Sequence, residues 1–370
     1  MSSDGAATVL APIEEAIRLT REGAHAAGTS DLHIEGNEPP WHRVDGTMRR
    51  MDLAFTEPES VRTFCEAYLS KKEYAALTGA RGSADGAIEH PNFGAVRIHA
   101  FRAESGLALS LRLLRDGIPD LATLGLPPVV STFADFPTGL ILFTGPTGSG
   151  KSTALAALIN EINKKYERHI VTVEDPIEYR HRSNKSLVRQ REVGRDVESY
   201  SESLRGVLRA DPDVILIGEL RDADVMAACL AASETGHLVF STLHTSEAAE
   251  TVQRIVGVFD GARQEQARVQ LAQSLQAIVS SRLIPDASGT GRRAACEILL
   301  NSPAIRSQLM SPEKTIQIRN TIETSRKDGM QTLEMDLSRM VHERLITYES
   351  AVAASDYPEQ IRVPSGLGTR

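Results

Sequence analysis

The sequence predicts an α/β protein in two parts: a mixed N-terminal domain over residues 1–116 and, from residue 129, a parallel sheet wrapped in helices. Three observations carry this. Apolar runs of strand length alternate with helix-length segments through the middle of the chain, the pattern of parallel strands joined by crossover helices. The stretch RDGIPDLATLGLPP (115–128) carries Pro119, Pro127 and Pro128 and interrupts the pattern, so 117–128 reads as an interdomain linker. The chain has 370 residues, enough for two domains with cores of their own.

In the first part, PIEEAIRLTREGAHAAG (12–28) sets Ile13, Ile17 and Ala24 on one helical stripe that stops at Gly28. DLHIEG and WHRVDGTMRRM read as short strands, with Asp45-Gly46 as a tight hairpin turn. EPESVRTFCEAYLSKKEYAAL (57–77) reads as one helix. GAVRIHAFRAESGLALSLRLL (94–114) reads as a long hairpin turning near Ser105-Gly106.

The second part, 129–300, opens with GLILFTG (139–145), an apolar strand running into a glycine-rich loop, and KSTALAALINEINKK (151–165) follows as a helix. HIVTVED (169–175), DVILIGE (213–219) and HLVFSTLH (237–244) read as further strands of the same sheet. Over 301–358 the periodicity is helical, at 303–310, 313–326, 332–345 and 348–355. The end, 359–370, reads as an unstructured tail.

Composition narrows the function. A net charge of −8 argues against a general nucleic-acid binder, which needs a basic surface to displace counterions. No stretch reaches the ~18 apolar residues of a membrane helix. The start, MSSDGAATVLAP, lacks the basic segment and apolar core of a secretory signal, so a cytoplasmic location is expected. Cys65, Cys229 and Cys296 form no CxxC pair, which argues against a zinc knuckle and leaves them as small buried residues.

GPTGSGKS (145–152) fits GxxxxGK[ST], and it stands between a strand and a helix as that motif requires. Gly145, Gly148 and Gly150 allow backbone N–H groups to turn inward around phosphate oxygens, and the helix N-terminus adds partial positive charge. Lys151 reaches the β- and γ-phosphates of a nucleotide, and the Ser152 hydroxyl is a ligand for Mg²⁺. The loop with its intervening residues Pro146, Thr147 and Ser149, and Thr153 beyond it, is the expected ATP site.

A phosphate-hydrolysing site also needs carboxylates. In DVILIGE the strand ends in Gly218, where an Asp would usually stand, and Glu219 follows. Ligands lie at the carboxyl ends of parallel strands. That end of the sheet also carries Glu174 and Asp175 from HIVTVED, and Ser241, Thr242 and His244 from HLVFSTLH. Glu174 and Glu219 are therefore the candidates to orient water and to hold Mg²⁺, directly or through water, and either carboxylate suits either role. His244 is placed to sense a γ-phosphate. His237, at the other end of its strand, suits a capping or packing role as well as a functional one.

In VRIHA (96–100) and LALSLRL (107–113) apolar residues alternate with polar ones, and a tight turn near Glu104–Gly106 pairs even positions with odd ones. Arg97 and Arg112 then share the polar face. Two like charges across a hairpin call for something negative nearby. A phosphate from a neighbouring subunit would serve; so would plain solvation of a basic face.

Together these motifs resemble the secretion ATPases of type IV pili and type II secretion, and most closely the type IV pilus retraction ATPases. SDLHI (30–34) and RVDGTMRRM (43–51) look like the family's N-terminal domain, and GPTGSGKST is similar to its Walker A. TVEDPIEY (172–179), LRADPDVILIGELRD (208–222) and TGHLVFSTLHT (235–245) resemble its Asp box, Walker B and His box. REVG (191–194) and GMQTLEMDL (329–337) also match. A Gly in place of the Walker B Asp is itself a family trait. The resemblance implies a PAS-like N-terminal domain and a RecA-like ATPase domain in a homohexameric ring that hydrolyses Mg²⁺-ATP. Glu174 and Glu219 match the glutamates of the Asp box and Walker B, and Arg97 and Arg112 match arginines given from the N-terminal domain. The partners implied are an inner-membrane pilus platform protein and a paralogous retraction ATPase, with the motor peripheral at the inner membrane and no nucleic acid involved. The family's assembly ATPases carry a four-cysteine zinc motif that this sequence lacks. The retraction branch carries an AIRNLIRE-like stretch, and here AIRSQLMSPE (304–313) keeps only Ala304, Ile305 and Arg306 of its opening. An accessory retraction motor, an assembly or secretion ATPase, a nucleotide-sensing adaptor and a nucleic-acid translocase are the alternatives.

Overall fold

Alternation of apolar and polar residues builds the first sheet. In the computed structural model, which describes residues 3–21, 29–44, 47–92, 94–113, 117–289 and 291–362, the chain divides into two units, 1–117 and 118–370. The first unit contains β1 (Thr29–Glu35), β2 (Trp41–Val44), β3 (Thr47–Arg50), β4 (Ser83–His90), β5 (Gly94–Ala103) and β6 (Gly106–Leu113). They form one antiparallel sheet in the order β3-β2-β1-β6-β5-β4. Leu32, Ile34, Ile98 and Leu111 pack from the sheet against Ile13 and Ile17 of α1 (Ser3–Arg21) and Val61 and Phe64 of α2 (Pro58–Tyr68). Each fully buried side chain of this kind contributes about 1.5–3 kcal/mol.

Two expectations change here, and a third lies outside the described residues. The helix placed at 12–28 begins by Ser3 and runs through Pro12, while Ala24 and Gly28 lie outside the described residues. The Asp45-Gly46 turn also lies outside them. The single helix expected over 57–77 is two, α2 and α3 (Lys71–Thr78). The break is a capping box: the Glu73 backbone N–H donates to Ser70 Oγ at 3.2 Å, and the Ser70 N–H donates to Glu73 Oε2 at 2.6 Å.

The β5–β6 hairpin follows its alternation. Arg97 stands directly opposite Arg112 and Ile98 opposite Leu111, and the ladder closes at Ala103 and Gly106.

The second unit is built on β7 (Gly139–Thr144), β8 (His169–Glu174), β9 (Leu187–Glu192), β10 (Val214–Ile217), β11 (Leu238–Leu243), β12 (Leu275–Pro285) and β13 (Arg292–Leu300). Their order is β13-β12-β7-β11-β10-β8-β9. All neighbours run parallel except β13, which pairs antiparallel with β12, so the purely parallel sheet expected from the sequence gains a hairpin at one edge. On one face Ile141 and Phe143 pack against α4 (Lys151–Lys165). On the other, Leu140 and Leu142 share a core with α5 (Tyr200–Val207), α6 (Ala223–Glu234), α7 (Ala248–Gly257) and α8 (Gly261–Ser274). Four helices follow: α9 (Pro303–Met310), α10 (Ile318–Thr324), α11 (Leu333–His342) and α12 (Tyr348–Ala354).

The 117–128 segment folds with the second unit from Ile118 onward. Leu121 is buried, and Ile118, Leu124 and Leu126 pack against the α4 side of the core. At the other end, Ile361 is buried with Leu337 and Met340, and Arg319 donates to Gln360. The tail expected from 359 is thus folded to Arg362, and 363–370 lie outside the described residues. All three cysteines are free and buried, and burial pushes the Cys65 and Cys229 thiols up to about 12. Among the described residues no helix is long and apolar enough to cross a membrane.

Candidate active site

The glycine-rich loop takes its shape from β7, α4 and a strand the sequence did not announce. Gly145, Gly148 and Gly150 have φ of 136°, 79° and 94°, in the left-handed region that favours glycine. A Cβ on Gly145 would stand 2.3 Å from the carbonyl oxygen of Ser281 on β12, whereas one on Gly148 would meet nothing within 4 Å. The loop is thus pressed against β12 at its start and open at its crest. Ser281 Oγ contacts the Thr144 carbonyl at 3.4 Å and the Ser149 carbonyl at 3.3 Å. Lys151 opens α4 and is buried; its Nζ donates to the carbonyls of Gly145 at 2.7 Å and Pro146 at 3.0 Å. Burial lowers its pKa, opposed by the nearby charges of Glu219 and Glu178. A lysine folded onto its own loop's carbonyls is poised to exchange them for phosphate oxygens.

Gly218 has a steric reason to be glycine. A Cβ there would lie 2.8 Å from the Tyr200 hydroxyl and 3.4 Å from both the Glu174 Cα and the Val173 carbonyl oxygen. The position faces the end of β8 at close range, so any side chain there must displace the Tyr200 hydroxyl. The carboxylate moves one residue on, to Glu219.

Glu219 is held from two sides. Arg221 Nε donates to its Oε2 at 2.9 Å, and His244 Nε2 lies 3.4 Å from its Oε1. Arg221 also reaches Asp175 at 3.3 Å. Thr242 Oγ1 donates to the Gly218 carbonyl at 2.6 Å, which ties β11 to the residue before Glu219. Glu174, at the end of β8, receives Thr172 Oγ1 at 2.6 Å and Gln190 Nε2 at 3.1 Å, both on Oε1. Burial pushes its carboxyl up to about 7; these two hydrogen bonds pull it down, and Glu178 and Glu192 push it up. Thr153, in the first turn of α4, shares a 2.8 Å hydrogen bond with the Tyr179 hydroxyl.

The sheet therefore brings loop 145–153, Glu174, Glu219 and His244 to one end, as the strand-end reasoning required. It does not bring His237 there: its Nδ1 lies 2.9 Å from the Ala232 carbonyl near the end of α6, a structural contact. Arg221, Gln190, Tyr200 and Ser281 escaped the sequence reading. Arg221 lies within LRADPDVILIGELRD, beside Glu219; Ser281 sits in an apolar run that follows α8 without a breaker.

Arg97 and Arg112 lie in the first unit, opposite each other on the sheet face away from α1 and α2. The neighbouring strand supplies the negative charge: Arg112 Nε donates to Asp31 Oδ1 at 2.9 Å, and Asp31 stands directly opposite both Arg112 and Arg43 in the sheet.

The residues suit Mg²⁺ as well as nucleotide. Among the described residues no cluster of three or more His, Cys, Asp or Glu is spaced for a metal ion. Mg²⁺ does not need one, because it is commonly held by one or two side chains with phosphates and water.

The family described as type II/IV secretion system protein matches residues 6–355. The chain belongs to that family. It is 42% identical over 332 residues to the type IV pilus retraction ATPase PilT of Pseudomonas aeruginosa, covering 90% of this chain and 96% of that protein. It is 35% identical over 356 residues to the type IV pilus ATPase PilU of the same organism, covering 96% and 92%. Among solved structures it is similar to the pilus retraction motor PilT with bound ADP, with a TM-score of 0.85 at 39% identity, covering 95% of this chain and 98% of that one. At 95% of this chain the likeness takes in residues of both units, so the α/β fold is shared with that structure.

Proposed function

We propose that this protein is an ATP-hydrolysing motor that powers type IV pilus retraction and hence twitching motility. The observation that carries the proposal is the convergence of Lys151, Glu174, Glu219 and His244 at one sheet end, in a chain 42% identical to PilT over 90% of its length. In this reading the first unit is PAS-like and the second RecA-like, and the chain works as a homohexamer.

ATP sits in loop 145–153 with its phosphates toward Lys151. Ser152 and Glu219 would hold Mg²⁺, Glu219 directly or through water, and the ion would supply positive charge against the phosphates. Ser152 is available for this, since its hydroxyl makes no hydrogen bond among the described residues. Glu174 orients the attacking water: its Oε1 is occupied by Thr172 and Gln190, which leaves Oε2 to face a ligand. His244, against Glu219, reports the presence of the γ-phosphate. Arg97 and Arg112 act on the site of a neighbouring subunit, where added positive charge stabilises phosphoryl transfer. The ring pulls pilins through an inner-membrane platform protein, from the cytoplasmic side.

A second reading, an accessory motor paired with a paralogous retraction ATPase, is favoured by one observation. AIRSQLMSPE departs from the retraction pattern in α9, where Ile305 and Leu309 are buried while Met310 is exposed.

Purified protein should hydrolyse ATP, and Lys151→Ala should abolish turnover while leaving the fold intact. Cells lacking the gene should keep or accumulate pili and lose twitching; loss of the pili themselves would overturn the retraction reading.

A further inference from the structure

Gln190 lies on β9, the edge strand of the second sheet, and its amide is fully engaged. Nε2 donates to Glu174 Oε1 at 3.1 Å and to the Tyr179 carbonyl at 2.9 Å, while Oε1 accepts the His181 N–H at 2.7 Å. Next to it, Glu192 Oε2 accepts the Ile177 N–H at 3.1 Å. These bonds fold the 175–181 segment back over β9. That segment carries Tyr179, whose hydroxyl meets Thr153 Oγ1 at 2.8 Å on the first turn of the phosphate-loop helix. An unbroken chain of contacts thus runs from the Glu174 carboxylate through Gln190 and Tyr179 to Thr153.

We infer that Gln190 is a positioning residue for hydrolysis: it fixes the Glu174 carboxylate with one oxygen occupied and couples it to the phosphate-loop helix. The inference rests on the proposed role of Glu174. A glutamine suits the task because one planar amide both donates and accepts, which neither glutamate nor an apolar side chain does. Thr172 supplies the second donor to the same oxygen, so two donors fix Oε1 and leave Oε2 as the oxygen for water. Small errors of aim are costly, because a displacement of about 1 Å of a positioned group can cost about 100-fold in rate.

Gln190→Glu is the telling variant. It keeps the shape and the acceptor for the His181 N–H but sets a second carboxyl against Glu174, so the two share a proton and the fixed amide donor is lost. The expected result is kcat reduced by about 10- to 100-fold with KM for ATP within about 2-fold of wild type, since Gln190 makes none of its own hydrogen bonds to the phosphate loop. Gln190→Met, which removes every bond, should behave alike in kcat. In a Glu174→Gln background, Gln190→Glu should cost no further single-turnover rate, because both changes act through one group. Wild-type kcat in Gln190→Glu, or an equal loss in the presence and absence of the Glu174 carboxylate, would overturn the positioning role. Full activity in Glu174→Gln alone would instead overturn the role of Glu174, so the two failures are distinguishable.

Discussion

Arg112 donates to Asp31 across adjacent strands at 2.9 Å, and on its other side it faces Arg97. Strand register sets Arg43, Asp31, Arg112 and Arg97 in one row across β2, β1, β6 and β5, so one carboxylate stands among three guanidiniums. The row stays net positive, which is what a face offered to phosphate needs. The Arg112 side chain is 60% exposed and that of Asp31 only 13%, so the pair is a weak latch and not a structural keystone. A double-mutant cycle on Asp31→Ala and Arg112→Ala, read by urea unfolding, should give a coupling of about 0.5–1 kcal/mol that shrinks in high salt. A coupling that salt leaves unchanged would contradict the latch.

Gly218→Ala should destabilise the protein by about 1–3 kcal/mol, because its Cβ meets the Tyr200 hydroxyl at 2.8 Å. Tyr200→Phe removes that oxygen and should recover most of the loss. Thermal unfolding of the single and double variants checks this, and no recovery in the double variant would place the conflict at the β8 backbone instead.

Turnover should rise with pH through about 7. Burial raises the Glu174 carboxyl to about 7, so below that value it is protonated and cannot accept a proton or orient water through a charged oxygen. Stability runs the other way. A folded-state pKa raised above the unfolded one of 4.5 gives stability that is complete below 4.5 and is lost as pH rises through about 7. In Glu174→Gln both trends should flatten, measured as single-turnover rate and as urea midpoint between pH 5 and 8.5.

Ser70→Ala should cost about 1 kcal/mol by removing one half of the capping box that starts α3. The loss should appear as a lower urea midpoint with an unchanged slope.

What the sequence disclosed and what it hid differ for physical reasons. The phosphate loop was legible because its glycines answer a backbone demand, visible as positive φ at Gly145, Gly148 and Gly150. The β5–β6 register was legible because Val96, Ile98, Leu109 and Leu111 must face one core. β9 was not, since an edge strand of sequence LVRQRE buries Val188 and little else. β12 was hidden because its apolar run follows α8 with no glycine or proline between. The split between α2 and α3 was readable from Ser70 and Glu73, but apolar periodicity on both sides masked it. At the site, charged candidates stood out at strand ends, whereas Gln190 and Tyr200 act through neutral contacts that exist only once β8, β9 and β10 are assembled.

A hydrolytic site shared between subunits, as proposed above, is open to a test with mixed assemblies. Glu219→Gln and Arg112→Ala would be prepared separately, shown to be nearly inactive, and then co-assembled. ATP turnover should then return, because some interfaces combine an intact Glu219 from one subunit with an intact Arg112 from its neighbour. If mixed assemblies form and turnover stays absent, Arg112 does not act on a neighbouring subunit's site, and the shared-site account is contradicted.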